Sequence, residues 1–473
     1  MMLLWLFAGL PLPTLSGWLL VRLCEGKHPV LFRLERWTLG FLLGITLTMF
    51  VTFLAHIAGF ILFTRLGFLS VQGALTLFLV LLRLLQWRFS LRSSPLSAPQ
   101  SPIKQSPIAN RWLSGLLILL ALWTFAKIAF GSFILVTTPA YFDDTLKNWN
   151  ARAKVFSVTH TLDVGAIGEE NAGTLSSYPP TVSLFKASLV SIAGQWDEGL
   201  VNSIHALWLL SALILLYCAL RHRTGWQWAL FGAYLLASLP LYLFDGLNAY
   251  ADVFLSAHLF AAGSLLSSGL TETDAGRRQS YLRLSALAIG LLVFTKNEAI
   301  VLFIPLLLAL FAGGLVFLGA KNRMTRRDFR TALAWTAGWL LAIGVPWVLF
   351  KWAHGLGFGN AKTISAGYAF GWQPNVPTAI WISTFFEGNW NLFFPLFLLV
   401  LILERKRLFQ STWTPLVLLV LATLLLQISL YLFTSLSVEA LRQTGLGRGF
   451  VQLAPLMVML VTLLMREIVV ERE

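Results

Sequence analysis

Long apolar runs recur along the whole chain, from Leu3 to Val461, and they constrain the fold more than any other feature. A helix needs about 20 mostly apolar residues to cross the hydrocarbon layer of a membrane. Only 12% of the residues are charged, which is half the share of about 25% in soluble proteins. Alternating segments of about 10 residues, typical of an outer-membrane barrel, are absent from the sequence. We therefore predict an all-α polytopic membrane protein with about 13 transmembrane helices.

The apolar pattern also predicts how the chain is divided. The predicted spans lie near 3–21, 37–63, 66–86, 112–136, 199–220, 226–244, 250–269, 281–295, 299–319, 332–352, 388–403, 412–434 and 449–465. A Ser- and Pro-rich stretch at 90–111 has the composition of a flexible linker. It separates three N-terminal transmembrane helices in 1–89 from a body at 112–473. The first span is apolar from its second residue and lacks a cleavage site, so we interpret it as a retained helix.

The orientation of the spans follows from the basic residues, which cluster in alternate loops. These clusters include Arg33 and Arg36, Arg88 and Arg92, Arg221 and Arg223, Arg277 and Arg278, Arg326 and Arg327, and Arg405 and Arg407. Membrane proteins keep such residues on the cytoplasmic side. The same bias accounts for the net charge of +14, so we expect no nucleic-acid partner. The N-terminus is then outside and the C-terminus inside, and two long loops, 137–196 and 353–387, face outwards.

The first outer loop, 137–196, carries an acidic pair, Asp143 and Asp144, a few residues beyond the fourth span. An amphipathic helix suited to the membrane interface is predicted at 145–158. Its apolar face consists of Trp149, Ala153 and Phe156, and Lys147, Arg152 and Lys154 fall on other faces. An acidic pair here could perform acid–base chemistry, or it could cap the helix by accepting hydrogen bonds from free amides.

Other unusual charges fall at the outer ends of predicted spans. Lys296 and Glu298 lie between two apolar helices, where they could pair, face a polar cavity or form a plain interfacial turn. Arg442 and Arg448 precede the last span. They could clamp a phosphate group, since guanidinium binds phosphate oxygens in a bidentate manner, or their side chains could simply extend to the interface.

Two further motifs lie on the predicted outer side of the membrane. Tyr178-Pro179-Pro180 precedes an apolar helix and could form either a rigid wall of a substrate cleft or a simple helix entry. The short stretch from Asp245 to Asp252 could line the same cavity or be an ordinary loop. Nucleotide-binding glycine loops, His-Glu-x-x-His and zinc-spaced Cys/His clusters are absent from the sequence.

The order of these motifs resembles that of the GT-C superfamily of membrane glycosyltransferases, in the branch that contains protein O-mannosyltransferases and the lipid A aminoarabinose transferase. The resemblance covers roughly 112–465 and rests on six motifs taken together. They are the acidic pair, Trp149 to Lys154, Tyr178-Pro179-Pro180, Tyr250-Ala251-Asp252, Thr295 to Ala299, and Arg448. The three leading helices and a Tyr where many relatives have His before the prolines depart from the family pattern.

The resemblance implies a GT-C-like bundle whose first outer loop carries interfacial helices and the catalytic acid. It implies transfer of a sugar, with inversion, from a polyprenyl-phosphate donor to a lipid, glycan or protein acceptor hydroxyl at the periplasmic side of the inner membrane. Asp144, or alternatively Asp143, would be the general base. Arg448, Arg442 and Lys296 would bind the donor phosphate.

The remaining candidates would line the substrate cleft. They are Trp149, Arg152, Lys154, Tyr178, Pro179, Asp252 and Glu298. Some members of the superfamily bind a divalent cation beside the acid, so Mg or Mn at Asp143 and Asp144 is a further expectation. No other cofactor is expected.

Two other classes of function remain open from the residues alone. A transporter or flippase for a lipid-linked or amphiphilic substrate would show paired, interrupted helices in two halves. The break around Lys296 is one such interruption, without a matching partner in the sequence. A non-catalytic membrane scaffold would not account for a long outer loop that carries an acid pair.

Overall fold

The computed structural model describes residues 9–90, 111–142, 144–162, 177–358, 370–406, 408–409 and 412–470. The secondary structure of these residues is helical, without a β-strand. This confirms the predicted all-α fold. The predicted linker at 90–111 lies almost entirely outside the described residues, as does Asp143.

The helices are numbered here in chain order. They are α1 (Pro11–Glu25), α2 (Arg33–Ile57), α3 (Arg65–Ser90), α4 (Arg111–Thr137), α5 (Ala151–Thr159), α6 (Thr181–Ala193), α7 (Glu198–Arg221), α8 (Trp226–Ala237), α9 (Pro240–Gly246), α10 (Asp252–Thr271), α11 (Ala275–Leu292), α12 (Ile304–Ala320), α13 (Arg326–Ala353), α14 (Val376–Phe385), α15 (Phe393–Leu403), α16 (Thr414–Phe433), α17 (Ser437–Leu441) and α18 (Gly445–Val470). Two π-helical segments, Asp144–Asn150 and Ala299–Phe303, lead directly into α5 and α12.

Within the described residues, nine helices are long and apolar enough to cross a membrane. They are Arg33–Ile57, Arg65–Arg88, Ser114–Thr137, Glu198–Arg221, Asp252–Thr271, Ala299–Ala320, Arg326–Ala353, Thr414–Phe433 and Gly445–Val469. The pair α8 and α9 makes a tenth if it counts as one span, bent by 77°. The protein is therefore a multi-pass membrane protein, but the predicted count of 13 is not confirmed.

Three predicted spans account for the difference in number. The described part of the first, α1, has 15 residues, and the helix predicted at 388–403 has only 11, as α15. At about 1.5 Å per residue, the described part of α1 and the whole of α15 are shorter than the hydrocarbon layer. The helix predicted at 281–295 begins earlier, as α11, with the polar turn Ala-Gly-Arg-Arg-Gln-Ser.

Helix α10 lies at the centre of the bundle. In its apolar window 94% of the residues are buried, against 11% in α4 and 17% in α13. It packs against α7, α11 and α18, and His258 near its middle shares a 2.8 Å hydrogen bond with Thr46 of α2. The apolar faces of α4 and α13 are therefore available to lipid, whereas both ends of α10 lie among packed helices.

The N-terminal helices pack onto the body of the bundle. α1 lies along α2 and α11, and α2 also contacts α7. Gly17 of α1 faces Gly40 and Gly44 of α2 so closely that an added Cβ would overlap backbone atoms. Small residues four apart permit this approach between membrane helices.

Candidate active site

Asp252, at the first position of α10, is the centre of a buried polar cluster. Its side chain is fully buried. Oδ1 accepts hydrogen bonds from Lys296 Nζ at 2.8 Å and Gln452 Nε2 at 2.7 Å. Oδ2 accepts two from Arg448, from Nε at 2.9 Å and Nη2 at 2.8 Å. A buried carboxylate requires such partners because its desolvation is costly.

Arg448 joins this cluster to the first outer loop. Its third guanidinium nitrogen, Nη1, lies 2.6 Å from Asp144 Oδ2, so one side chain bridges two carboxylates. The planar fork of arginine makes this geometry possible, and a lysine could not reproduce it. The guanidinium also lies 5.3 Å from the centre of the Tyr250 ring. Arg448 and Asp144 keep 28% and 34% of their side-chain surface exposed, so both are accessible to a substrate.

Lys296 connects the cluster to the break between α11 and α12. Its ammonium lies 3.3 Å from Glu298 Oε1 and contacts Asp252, so the predicted Lys–Glu pair is present. Burial by itself would lower the pKa of Lys296, but the carboxylates of Asp252 and Glu298 raise it above its ordinary value. The two carboxylates therefore favour the charged form of Lys296.

Tyr178 forms the next wall of the cluster. Its hydroxyl donates to Glu298 Oε1 at 3.5 Å, and its ring lies 5.8 Å from the ammonium of Lys296. Burial, followed by the Glu298 charge, raises the pKa of the Tyr178 hydroxyl well above its ordinary value. The Tyr178 hydroxyl is thus a hydrogen-bond donor rather than a base. Pro179 is buried beside it, where its ring restricts the backbone.

A helical turn follows Asp144, as predicted. Trp149, Ala153 and Phe156 are all buried and form the inner face, and Trp149 meets Tyr178 with ring centres 5.9 Å apart. The placement of Arg152 on an outer face was wrong. Arg152 is buried and donates from Nη2 to the Tyr178 carbonyl at 3.2 Å, because residues 149, 152, 153 and 156 follow the i, i+3, i+4, i+7 spacing of a single helix face.

Lys154 and Arg442 lie apart from the Asp252 cluster. Lys154 is exposed, with its ammonium 5.2 Å from the Trp196 ring centre. Arg442 is exposed beyond α17 and its side chain makes no ion pair or hydrogen bond within the described parts of the chain. Their predicted roles in the cleft and at the phosphate stay predictions.

Several buried polar residues were not predicted from the sequence. Lys186 of α6 donates to Asn150 Oδ1 at 2.7 Å and Asn202 Oδ1 at 3.0 Å. Lys186 thus connects the π-helical segment that follows Asp144 to α7. A lysine within an otherwise apolar helix was the available signal. Gln452 lies one turn after Arg448, a spacing that puts both on one helix face.

Metal binding at Asp143 and Asp144 also stays a prediction. No group of three or more His, Cys, Asp and Glu side chains converges as a metal site among the residues that the structure describes. The Oδ2 atom of Asp144 faces Arg448.

The sequence and the fold can be compared with known proteins. Residues 177–350 match the family model of dolichyl-phosphate-mannose-protein mannosyltransferases. No curated protein sequence matches the chain significantly. Among solved structures, the fold is similar to that of ArnT from Cupriavidus metallidurans bound to undecaprenyl phosphate, with a TM-score of 0.53 and 16% identity. The similarity covers 75% of this chain but only 60% of the ArnT chain.

These findings confirm the resemblance predicted from the sequence. The chain has the GT-C fold of membrane glycosyltransferases. Within that class, the matched family model covers the segment that runs from Ser177 to Phe350. This segment contains Tyr178, Asp252 and Lys296 but neither Asp144 nor Arg448, which complete the cluster from outside it.

Proposed function

We propose that this protein transfers a sugar from a polyprenyl-phosphate donor to an acceptor hydroxyl, with inversion at the anomeric carbon. The observation that carries the proposal is the Asp144–Arg448–Asp252 bridge. It combines an accessible carboxylate with an accessible guanidinium at one end of the GT-C bundle. The undecaprenyl phosphate bound to ArnT supports a lipid phosphate as part of the donor.

Asp144 is the proposed general base. The acceptor oxygen attacks the anomeric carbon, its proton passes to the Asp144 carboxylate, and the bond from the anomeric carbon to the phosphate oxygen breaks. A positioned base typically contributes about 10²–10⁴-fold to the rate. Asp252 is an unsuitable base because it is fully buried and its oxygens are occupied by Arg448, Lys296 and Gln452.

Arg448 is the proposed primary ligand of the donor phosphate. The leaving polyprenyl phosphate requires no proton if fixed cations stabilise its charge. Lys296, which contacts Asp252, would supply a second positive charge, and Arg442, which follows α17 and lies apart from the cluster, would supply a third. Trp149, Tyr178, Pro179 and Glu298 would line the cleft, with Arg152 holding the Tyr178 backbone in place.

The proposal is tested by turnover of a defined donor. The purified full chain in nanodiscs would receive a polyprenyl-phosphate sugar labelled in the sugar, together with a membrane extract as the source of acceptors. We expect release of polyprenyl phosphate in equal amount to the sugar transferred. Consumption of several such donors at the rate of protein-free nanodiscs would contradict the proposal.

The active site is proposed to face the periplasm, with the chain in the inner membrane. The alternate loops that carry the basic clusters support this orientation. A reporter inserted after Gly173, in the first outer loop, should be accessible only from the periplasm. A cytoplasmic reporter signal would reverse the sidedness of the whole site.

A flippase for a lipid-linked substrate is the second candidate, and the bend between α8 and α9 favours it. Transporters use broken helices of this kind near their binding sites, and α9 carries the buried Asp245. The two functions separate in vesicles without acceptor. A flippase would still move labelled polyprenyl-phosphate sugar between leaflets, whereas the proposed transferase would not.

A further inference from the structure

A cavity rich in arginine lies at the end of the bundle opposite the Asp252 cluster. Helix α10 runs from Asp252 to Thr271, and Thr271 lines this cavity. Its 20 residues separate the two sites by about 30 Å at 1.5 Å per residue. The cavity has a volume of about 920 Å³, ample for a phosphorylated head group.

Seven arginines line this cavity, and they come from both parts of the chain. Arg22, Arg33, Arg36 and Arg83 belong to the N-terminal helices α1 to α3. Arg221, Arg223 and Arg277 belong to the body. The cavity therefore exists only where the three leading helices, an addition to the family pattern, meet the rest of the bundle.

The acidic residues nearby neutralise only part of this charge. Glu25, which is fully buried, pairs with Arg22 at 3.1 Å and Arg36 at 2.7 Å. Glu272 pairs with Arg277 at 3.0 Å, and Glu35 contacts the imidazole of His222 at 2.7 Å. The arginines thus outnumber the carboxylates, and the paired carboxylates also fix the arginine side chains.

Arg33 and Arg83 are left without an acidic partner. Arg33 makes no ion pair or hydrogen bond through its side chain within the described part of the chain, and Arg83 donates only to Gln86. Both line the cavity. Arg327 and Arg330, which are exposed, do not line the cavity.

Aromatic residues in the lining indicate an amphiphilic ligand. Trp18 and Trp37 stack with ring centres 5.2 Å apart, and Trp413 also lines the cavity. Trp37 remains 39% exposed and Phe32 38%. Indole rings favour the interface between lipid and water, so these three tryptophans suit a cavity that receives a lipid head group.

We propose that this cavity binds a phosphate ester, held by Arg33 and Arg83 and carried by an anionic membrane lipid. Guanidinium is the side chain best suited to phosphate oxygens. The site is separate from the proposed sugar-transfer site and does not depend on that function. A free phosphate compound would share the same chemistry, so the test includes both sources.

The test uses the full chain in phosphatidylcholine nanodiscs with and without phosphatidic acid, and native mass spectrometry counts the lipid retained. Arg33→Gln combined with Arg83→Gln should weaken retention about tenfold, equivalent to 1.4 kcal/mol. The matched control, Arg327→Gln with Arg330→Gln, removes the same charge at the same end but outside the cavity and should retain the lipid. Equal loss in both pairs, or none in the first, would overturn the proposal.

A second arm identifies the source of the phosphate. Inorganic phosphate is added to the same nanodiscs, and the thermal unfolding midpoint is measured. If inorganic phosphate raises the unfolding midpoint only when Arg33 and Arg83 are present, the ligand is a soluble phosphate compound. If instead retention of phosphatidic acid requires Arg33 and Arg83, the ligand is a lipid head group. The single change Arg33→Gln, at an exposed position, tests the site if the double variant does not fold. If neither phosphate source depends on Arg33, the proposal is wrong.

Discussion

Arg448 Nη1 lies 2.6 Å from Asp144 Oδ2, and this contact joins the last membrane helix to the start of the first loop helix. The same guanidinium holds Asp252 through its other two nitrogens. A single side chain thus fixes the position of the proposed base relative to the buried cluster.

Replacement of Arg448 should weaken donor binding. Arg448→Lys keeps a positive charge but cannot hold two carboxylates and a phosphate, so we expect the donor KM to rise about tenfold or more. Arg442→Gln offers a comparison at the same end of the bundle. The rise in donor KM for Arg442→Gln should be smaller, because Arg442 is exposed and lies apart from the cluster. An unchanged donor KM in Arg448→Lys would show that Arg448 does not bind the donor phosphate.

Asp252→Asn should destabilise the protein far more than Asp144→Asn. Breaking a buried pair leaves uncompensated charge and costs about 3–5 kcal/mol, and here both Arg448 and Lys296 lose a partner. The Asp144 pair is about one-third exposed, so solvent screens it. Thermal unfolding in detergent measures the difference. Similar midpoints for the two variants would show that Asp252 is not the structural centre.

Lys186 should make stability depend on pH. Burial is the main cause that lowers its pKa from 10.5 to about 7 in the folded chain, against a smaller rise from Glu198. Between these values the unfolded chain binds a proton that the folded chain does not, so stability rises with pH. Lys186→Met should remove this part of the slope in unfolding midpoints measured across that range. An unchanged slope would mean that Lys186 stays protonated in the fold.

Metal chelation tests the predicted Mg or Mn ion. Because Arg448 already neutralises Asp144, we expect sugar transfer to persist after treatment with EDTA. Activity that is lost in EDTA and restored by Mg or Mn would show that sugar transfer needs a divalent cation, as the acidic pair Asp143 and Asp144 predicts.

The helical character of the fold could be predicted because apolar runs report directly on the membrane as solvent. The number of transmembrane helices could not be predicted, since hydropathy does not show where a helix bends or ends. Pro240 begins α9 and marks the 77° bend within the predicted 226–244 span. Proline removes a helix hydrogen bond and clashes with the preceding turn, so the bend could have been predicted from the position of Pro240 in the sequence.

The site could be predicted in part for a similar reason. Charges at the ends of apolar helices are conspicuous, and Asp144, Asp252, Lys296 and Arg448 were all found in this way. Which of them meet depends on how α10 and α18 pack, a long-range property that local pattern does not encode. Arg152 illustrates another limit, because it was predicted on a different face from Trp149 and Phe156 although its spacing puts it on their face, where it is buried.

The central claim is that Asp144 removes the proton from the acceptor hydroxyl. The most direct measurement is kcat for sugar transfer by Asp144→Asn, with Asp274→Asn as the control. Asp274 is exposed at the N-cap of α11, and asparagine caps helices about as well as aspartate. We predict a loss of about 10²–10⁴-fold in kcat for Asp144→Asn, with little change in the donor KM and normal activity in the control. Wild-type kcat in Asp144→Asn would contradict the assignment.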